Sequence, residues 1–153
     1  MRKRTLLYAG TAAWAVLLVG LGYYSYRTGP ATVPGQTTAA EARATMDRVT
    51  GELTAVSSSV RIGEYAEKPC EITNARDGVA LRRELTFTTA PGDEATLVRS
   101  LAAGLPPAYQ AVSSGSAETP TLYADAGTFV AVRGRKGDPG TVLVTLISGC
   151  RTP

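Results

Sequence analysis

The chain has 153 residues, with 16 basic and 13 acidic side chains, two cysteines and no histidine. Without histidine it lacks the residue most used for acid–base chemistry near neutral pH and the commonest metal ligand. Ser-His-Asp and Cys-His nucleophile systems are therefore excluded within this chain, and two cysteines are too few for a four-cysteine zinc site. We expect a protein that is not an enzyme and that holds neither a metal nor a cofactor.

The first 27 residues predict a membrane anchor. Arg2, Lys3 and Arg4 precede a nearly uncharged run from Thr5 to Tyr26, and Arg27 closes it. As a helix at about 1.5 Å per residue, this run is long enough to cross a bilayer core of about 30 Å. The excess of positive charge before the run predicts a cytoplasmic N-terminus and an extracytoplasmic C-terminus at the cell membrane, with a single pass.

A cleaved signal peptide is the alternative for the same segment. Such peptides have a shorter apolar core, of about 7 to 15 residues, and a cleavage site with small residues. The sequence that ends this run, Tyr-Tyr-Ser-Tyr-Arg, is a poor cleavage context. Under either interpretation the rest of the chain is exported.

The exported remainder is nearly neutral. All 13 acidic residues lie after Arg27, where 12 of the 16 basic residues also lie, which leaves a balance of −1. Such a mixed surface has no nucleic-acid footprint. We therefore expect the partners to be the lipid bilayer and another envelope protein, and no nucleic acid.

Cys70 and Cys150 are expected to form one structural disulfide, because an exported domain lies in an oxidising compartment. A redox-active pair is the alternative, but the two residues lack C-x-x-C spacing. The bridge would close most of the domain.

A linker and a helix follow the anchor. Residues 28–37 are rich in glycine and proline, which indicates a short linker. Thr38 and Glu41 match a helix capping box, and apolar residues recur every three or four positions through Val56. This stripe predicts a helix that packs on the domain's own sheet; pairing with a partner helix is the alternative.

The next region predicts a strand, a loop and a stronger strand. Val56–Tyr65 leans towards β-structure, and Ala66–Gly78 is expected to be a loop because it is polar and contains Pro69. Val79–Thr89 alternates between apolar and polar residues, as a half-buried strand does. Arg83 interrupts the apolar side of that strand, either at a bend or with its charged end reaching solvent, and a ligand-binding role is a second interpretation.

A second helix is expected from Asp93 to Gly104. Asp93 is suited to cap its first turn, and Gly104 precedes two prolines that end it. The adjacent acids Asp93 and Glu94 favour the positive end of the helix dipole, which we prefer to a catalytic role for the pair.

Short strands are expected in the last third of the chain. A Ser/Gly-rich turn at Ser113–Ser116 separates the first two, and a turn-rich loop at Gly134–Gly140 separates the last two as a hairpin. The four predicted strands are Tyr109–Val112, Thr121–Tyr123, Phe129–Arg133 and Thr141–Ser148.

The hairpin tip carries a basic cluster that is a possible interaction site. Arg133, Arg135 and Lys136 lie among glycines, where they would suit a phosphate, an acidic partner or anionic lipid headgroups. A solvated, charged turn is the alternative interpretation.

These elements predict an α+β protein: an N-terminal transmembrane helix, then a two-layer domain with an antiparallel sheet and two helices on one face. The expected organisation is a basic tip and anchor at 1–27, a linker at 28–37 and an extracytoplasmic domain at 38–153.

The layout resembles small envelope proteins of high-GC Gram-positive bacteria whose activity is uncharacterised. The resemblance is carried by the arginine-rich start with its signal anchor, the Thr38–Val56 helix, the Cys70 loop, the Leu81–Phe87 strand and the closing Leu146–Arg151 segment. It implies a compartment and a fold but no catalytic residue. We expect a membrane-anchored, non-enzymatic protein with a binding or structural role in the envelope; a ligand-sensing or substrate-presenting module of a membrane complex is the alternative.

Overall fold

The computed structural model describes residues 2–28, 37–73 and 76–153, so positions 29–36 of the predicted linker lie outside the described residues. The chain divides into two compact units, Met1–Thr32 and Val33–Pro153. The elements in chain order are α1 (Arg2–Thr28), α2 (Ala39–Val56), β1 (Val60–Thr73), β2 (Arg76–Thr88), α3 (Glu94–Gly104), β3 (Val112–Ser114), β4 (Thr121–Asp125), β5 (Val130–Lys136) and β6 (Thr141–Arg151).

The first unit contains the single helix α1, which exposes large apolar side chains along its described length. They include Trp14, Val16 and Leu21, each more than half exposed. Counting only the residues that the structure describes, no helix combines the length and the hydropathy needed to cross a membrane.

The second unit is an α+β domain built on one antiparallel sheet. In the described ranges the sheet has six strands in the order β1-β2-β6-β5-β4-β3. Helices α2 and α3 contact each other and pack on the same face of the sheet. The core lies between these layers and contains Met46, Leu53, Leu81, Leu85, Phe87, Val98, Leu101, Val132, Val144 and Leu146. The predicted two-layer arrangement of this domain is confirmed.

Helix α2 follows the sequence prediction closely. Thr38 and Glu41 form both hydrogen bonds of the capping box, and the apolar stripe is buried, with Met46 and Leu53 fully enclosed. The stripe contacts β2, β5 and β6. The prediction that α2 packs on the domain's own sheet is therefore confirmed, because the apolar stripe is buried against strands of the same chain.

The predicted loop at Ala66–Gly78 is wrong. β1 continues to Thr73 and β2 begins at Arg76, and Pro69 pairs with Val79 inside this hairpin. Proline is tolerated there because β1 is an edge strand, where one side of the backbone needs no partner.

The last third also differs in detail from the prediction. Pro107–Tyr109 forms a 3₁₀ turn, so the predicted strand at Tyr109–Val112 shifts to Val112–Ser114. β5 runs through Lys136 and β6 through Arg151, and the connecting loop shrinks to Gly137–Gly140. Glycine within the 134–140 segment signalled a turn, but the alternating burial of β5 shows that the strand continues across Gly134.

The disulfide between Cys70 and Cys150 is confirmed, although both residues lie in strands, not in a loop and after a strand as expected. Cys70 pairs with Gly78 of β2, and Cys150 pairs with Ala80 of the same strand. The bridge therefore joins β1 to β6 across two small residues of the strand between them.

The start of α3 is held by a different residue from the one expected. Asp93 occupies the cap position but makes no side-chain capping bond. Glu94, with a side chain only 2% exposed, instead accepts hydrogen bonds from the backbone N–H of Gly92 at 2.9 Å and of Gly140 at 2.7 Å. These bonds hold the pKa of Glu94 below its usual value, and the bond from Gly140 has the largest effect. Glu94 thus ties the β5–β6 loop to α3.

Candidate interaction surface

The predicted basic cluster is divided between the two faces of the sheet. Arg133 and Arg135 lie within β5, not at a hairpin tip, and both are exposed. Being two positions apart, they point to the same side, about 7 Å apart along the strand. That side is opposite to the helices, because Val132 and Gly134, which alternate with the two arginines, are buried.

Lys136 belongs to the helix side of β5. It pairs in register with the buried Val142, and its Nζ lies 3.5 Å from Glu94 Oε2. Lys136 therefore lies beside Glu94 at the start of α3 and not on the face that presents Arg133 and Arg135; the interaction role of the three residues stays a prediction.

The side of the sheet turned away from the helices is called the open face here. Its residues alternate with the buried core residues along each strand. The antiparallel register aligns them into rows across the strands. One row contains Arg61, Thr86, Leu143, Arg135, Thr121 and Ser114. The next contains Glu84, Thr145, Arg133, Tyr123 and Val112.

Apolar and aromatic side chains lie among these polar residues. Val112 is 57% exposed and Tyr123 52% exposed. Tyr123 is the direct cross-strand neighbour of Arg133. Towards the middle strand of this face, Leu143 and Ile147 are half-buried. A surface that mixes tyrosine, arginine and aliphatic side chains has the composition of a protein interface.

The charges of the open face are unequally satisfied. Glu84 pairs with Arg82 at 2.6 Å, and Asp125 accepts a hydrogen bond from the backbone N–H of Gly127 at 2.9 Å. Among the residues that the structure describes, Arg133, Arg135 and Arg61 take part in no ion pair or side-chain hydrogen bond. These three arginines therefore leave unpaired positive charge on the open face.

Arg83 lies on the opposite face of the sheet, in a contact with α2. Its Nη1 donates to Asp47 Oδ1 at 2.7 Å, its Nε donates to the Gly63 carbonyl at 3.2 Å, and its guanidinium lies 4.5 Å from the centre of the Tyr65 ring. The pKa of Tyr65 is raised to about 12, mainly by burial and secondly by its hydrogen bond to Asp47. This cluster fastens α2 to β1 and β2, so Arg83 has a structural role and its possible ligand role gains no support.

The predicted serine-rich turn lines a shallow pocket of about 220 Å³ beside α3. Ser113, Ser116 and Arg99 are among its lining residues. The Arg99 guanidinium is occupied by its own helix, through Thr96 Oγ1 at 3.2 Å and the Ala95 carbonyl at 3.4 Å. The pocket brings together hydroxyl groups and one cation but no second charged group.

Arg151 is fully buried near the start of α2. Its guanidinium donates to the Thr128 carbonyl and to Thr37 Oγ1, and it lies 5.7 Å from the centre of the Phe129 ring. Burial lowers the pKa of Arg151. Thr128 and Phe129 both have a positive φ, so the arginine holds a backbone turn that L-residues rarely adopt.

The sequence matches no protein family and no curated protein. One solved structure is similar: a DUF4853 family protein from Actinomyces odontolyticus ATCC 17982, with a TM-score of 0.54 and 10% identity, over 78% of this chain and 72% of that one. At this identity the likeness shows the fold alone. Actinomyces is a high-GC Gram-positive bacterium, which agrees with the group of proteins that the sequence resembles.

Sequence reasoning missed the wider surface around the two arginines. Val112, Tyr123 and Arg61 come from three different strands, and only the register brings them into rows with Arg133 and Arg135. The sequence did contain one signal: Arg133 and Arg135 are two positions apart, and this spacing places both on one face of a strand, whereas a turn does not have this period.

Proposed function

We propose that this is a membrane-anchored, non-enzymatic protein of the cell envelope whose exported domain binds another envelope protein through the open face. The observation that carries the binding role is the asymmetry of the sheet. One face is covered by α2 and α3, while the other presents Val112 and Tyr123 more than half exposed. Exposed apolar and aromatic residues on a broad face favour a protein interaction site.

Support for the anchor comes from the sequence. The run from Thr5 to Tyr26 lies between charged residues, and it has the length of a membrane-crossing helix. Tyrosines near its end, Tyr23 and Tyr24 among them, suit a membrane interface. The Cys70–Cys150 bridge agrees with an oxidising exterior.

The alternative, a ligand-sensing or substrate-presenting module, would gain support from a pocket with converging charges. Arg83 lies on the helix side, bonded to Asp47. Glu84 and Asp125 lie on the open face, where Glu84 pairs with Arg82 and Asp125 accepts a hydrogen bond from the Gly127 backbone. Because Arg83 lies on the other side of the sheet from these two carboxylates, the three charges do not converge, and we favour the binding of a protein surface.

Photo-cross-linking from the two faces of the domain tests this function. The full chain would carry p-benzoylphenylalanine in place of Tyr123 on the open face or, as a matched control, in place of the exposed Ser100 on α3. We expect protein adducts from position 123 in intact cells and far fewer from position 100. Equal yields at the two positions, or none at 123, would contradict the proposed role of the open face.

A further inference from the structure

We infer that the protein bound by the open face presents an acidic surface. This inference rests on the proposed function and adds the chemistry of the partner. It begins from the distribution of charge, because the exported part as a whole has a balance of −1 and yet the open face is positive.

The positive charge of this face is concentrated around β5. Arg133 and Arg135 are exposed neighbours on the same strand face, and Arg61 lies in the same row as Arg135, three strands away. None of the three has a carboxylate partner among the described residues. Complementary charge across an interface selects the partner and raises the association rate. These cations therefore fit carboxylates supplied by another molecule.

The same charge disfavours a second copy of this chain. Face-to-face pairing would bring the unpaired arginines of one copy near those of the other, and like charges at an interface oppose association. Of the carboxylates on the described strands of this face, Glu84 pairs with Arg82 and Asp125 accepts a hydrogen bond from the Gly127 backbone.

The apolar component distinguishes a protein from a simple polyanion. Tyr123 lies beside Arg133, and Val112 lies beside Tyr123. Such side chains contribute binding energy when they are removed from water against an apolar partner, which a flexible anionic polymer does not offer. The expected contact is thus an apolar centre with carboxylates at the positions facing Arg133 and Arg135.

Charge reversal within the cross-linking experiment tests this chemistry. The full chain with the photo-reactive residue at position 123 would carry Arg133→Glu or Arg135→Glu, with Arg99→Glu on α3 as the matched control. Each arginine reversal should lower the yield of the protein adduct by roughly tenfold, and raised salt should lower it in the parent chain. Arg99→Glu should leave the yield unchanged.

The outcomes separate the inference from the function on which it rests. A protein adduct whose cross-linked peptide is rich in Asp and Glu, lost in both reversals, supports the inference. An adduct that persists in both reversals would overturn the acidic partner but leave the open face as the binding site. An adduct between two copies of this chain would also overturn it. Absence of any adduct at 123 would overturn the function itself.

Arg133 and Arg135 are exposed and have no side-chain partner among the described residues, so each reversal there should leave the melting temperature of the domain close to that of the wild type. Thermal melting of each purified variant checks this point. If a variant melts like the wild type but gives no adduct, the loss is due to the changed surface charge and not to unfolding. The adduct should return when an acidic residue of the partner that contacts the reversed position is changed to lysine. Failure of that exchange to restore the adduct would contradict direct pairing.

Discussion

At the scale of single residues, Gly78 shows how the disulfide constrains its surroundings. A Cβ atom at this position would lie 2.6 Å from Cys150 Sγ, 2.7 Å from the Arg151 carbonyl oxygen and 2.8 Å from Ile72 Cγ1. Two of these atoms belong to the strand that the bridge holds in place. The absence of a side chain is therefore a condition for the bridge to cross β2.

Gly78→Ala should destabilise the domain by about 1 to 3 kcal/mol, because overpacking forces backbone and side-chain shifts. Gly149→Ala is the matched control, since nothing lies within 4 Å of a Cβ atom there. Urea unfolding of both oxidised variants measures the difference. Equal midpoints for the two variants would show that the crossing has room for a methyl group.

Glu94 is the second residue whose role is tested directly. Its carboxylate accepts backbone hydrogen bonds from Gly92 and Gly140, which keep its pKa below the usual value of 4.5. A lowered pKa in the folded state contributes stability that is present above the unfolded value and is lost as the pH falls through the folded value. We expect that contribution to be complete above about pH 4.5 and to decline progressively as the pH falls below it.

Glu94→Gln should therefore melt at a lower temperature than the wild type at pH 7, because the amide group cannot accept both backbone bonds. The gap between the two proteins should narrow as the pH is lowered from 6 to 3. Asp93→Asn serves as the control, since Asp93 makes no side-chain capping bond. A constant gap across this pH range would mean that the charge of Glu94 is unimportant.

At the scale of elements, the prediction from sequence succeeded where the side-chain pattern was strong. The capping box of Thr38 and Glu41 and the stripe through Leu53 predicted α2 correctly, because local bonds and one-sided burial both favour the same helix. The central part of β2 was also predicted correctly, because its alternation of apolar and polar residues matches the two faces of a sheet.

The prediction failed where tertiary position overrides local composition. Pro69 suggested a loop, but an edge strand accepts proline. The glycines between 134 and 140 suggested a long turn, although Gly134 lies in β5, opposite Val144 and Leu122. The open face combines residues from several strands, so its composition depends on a register that sequence periodicity alone does not provide.

The disulfide acts at this scale because it joins the edge strand β1 to the C-terminal strand β6. Cys70 and Cys150 are separated by 80 positions. The entropy of closing a loop of this length gives about 4 to 5 kcal/mol as an upper figure, comparable to the total stability of a small domain.

Cys70→Ser and Cys150→Ser should each lower the free energy of unfolding strongly, and the double variant should cost no more than either single one. Urea unfolding of the three variants, with the reduced wild type as control, gives this comparison. A urea midpoint that is unchanged in both single variants would show that the bridge is dispensable for stability.

At the scale of the whole molecule, the two proposals depend on where the domain is located. The anchor segment Thr5–Tyr26 would hold the domain at the outer side of the membrane, and the disulfide requires an oxidising compartment. The open face would then be available to other envelope proteins. A soluble, reduced protein in the cytosol would have neither the anchor's topology nor the bridge.

Membrane fractionation with external protease treatment tests this central claim most directly. Cells expressing the full chain would be fractionated, and whole cells stripped of their outer barriers would be treated with protease before the thiols of Cys70 and Cys150 are probed. The account predicts an intact chain in the membrane fraction that only detergent releases, a domain that external protease digests, and no reactive thiol. An intact chain in the cytosolic fraction, protected from protease and with both thiols reactive, would contradict it.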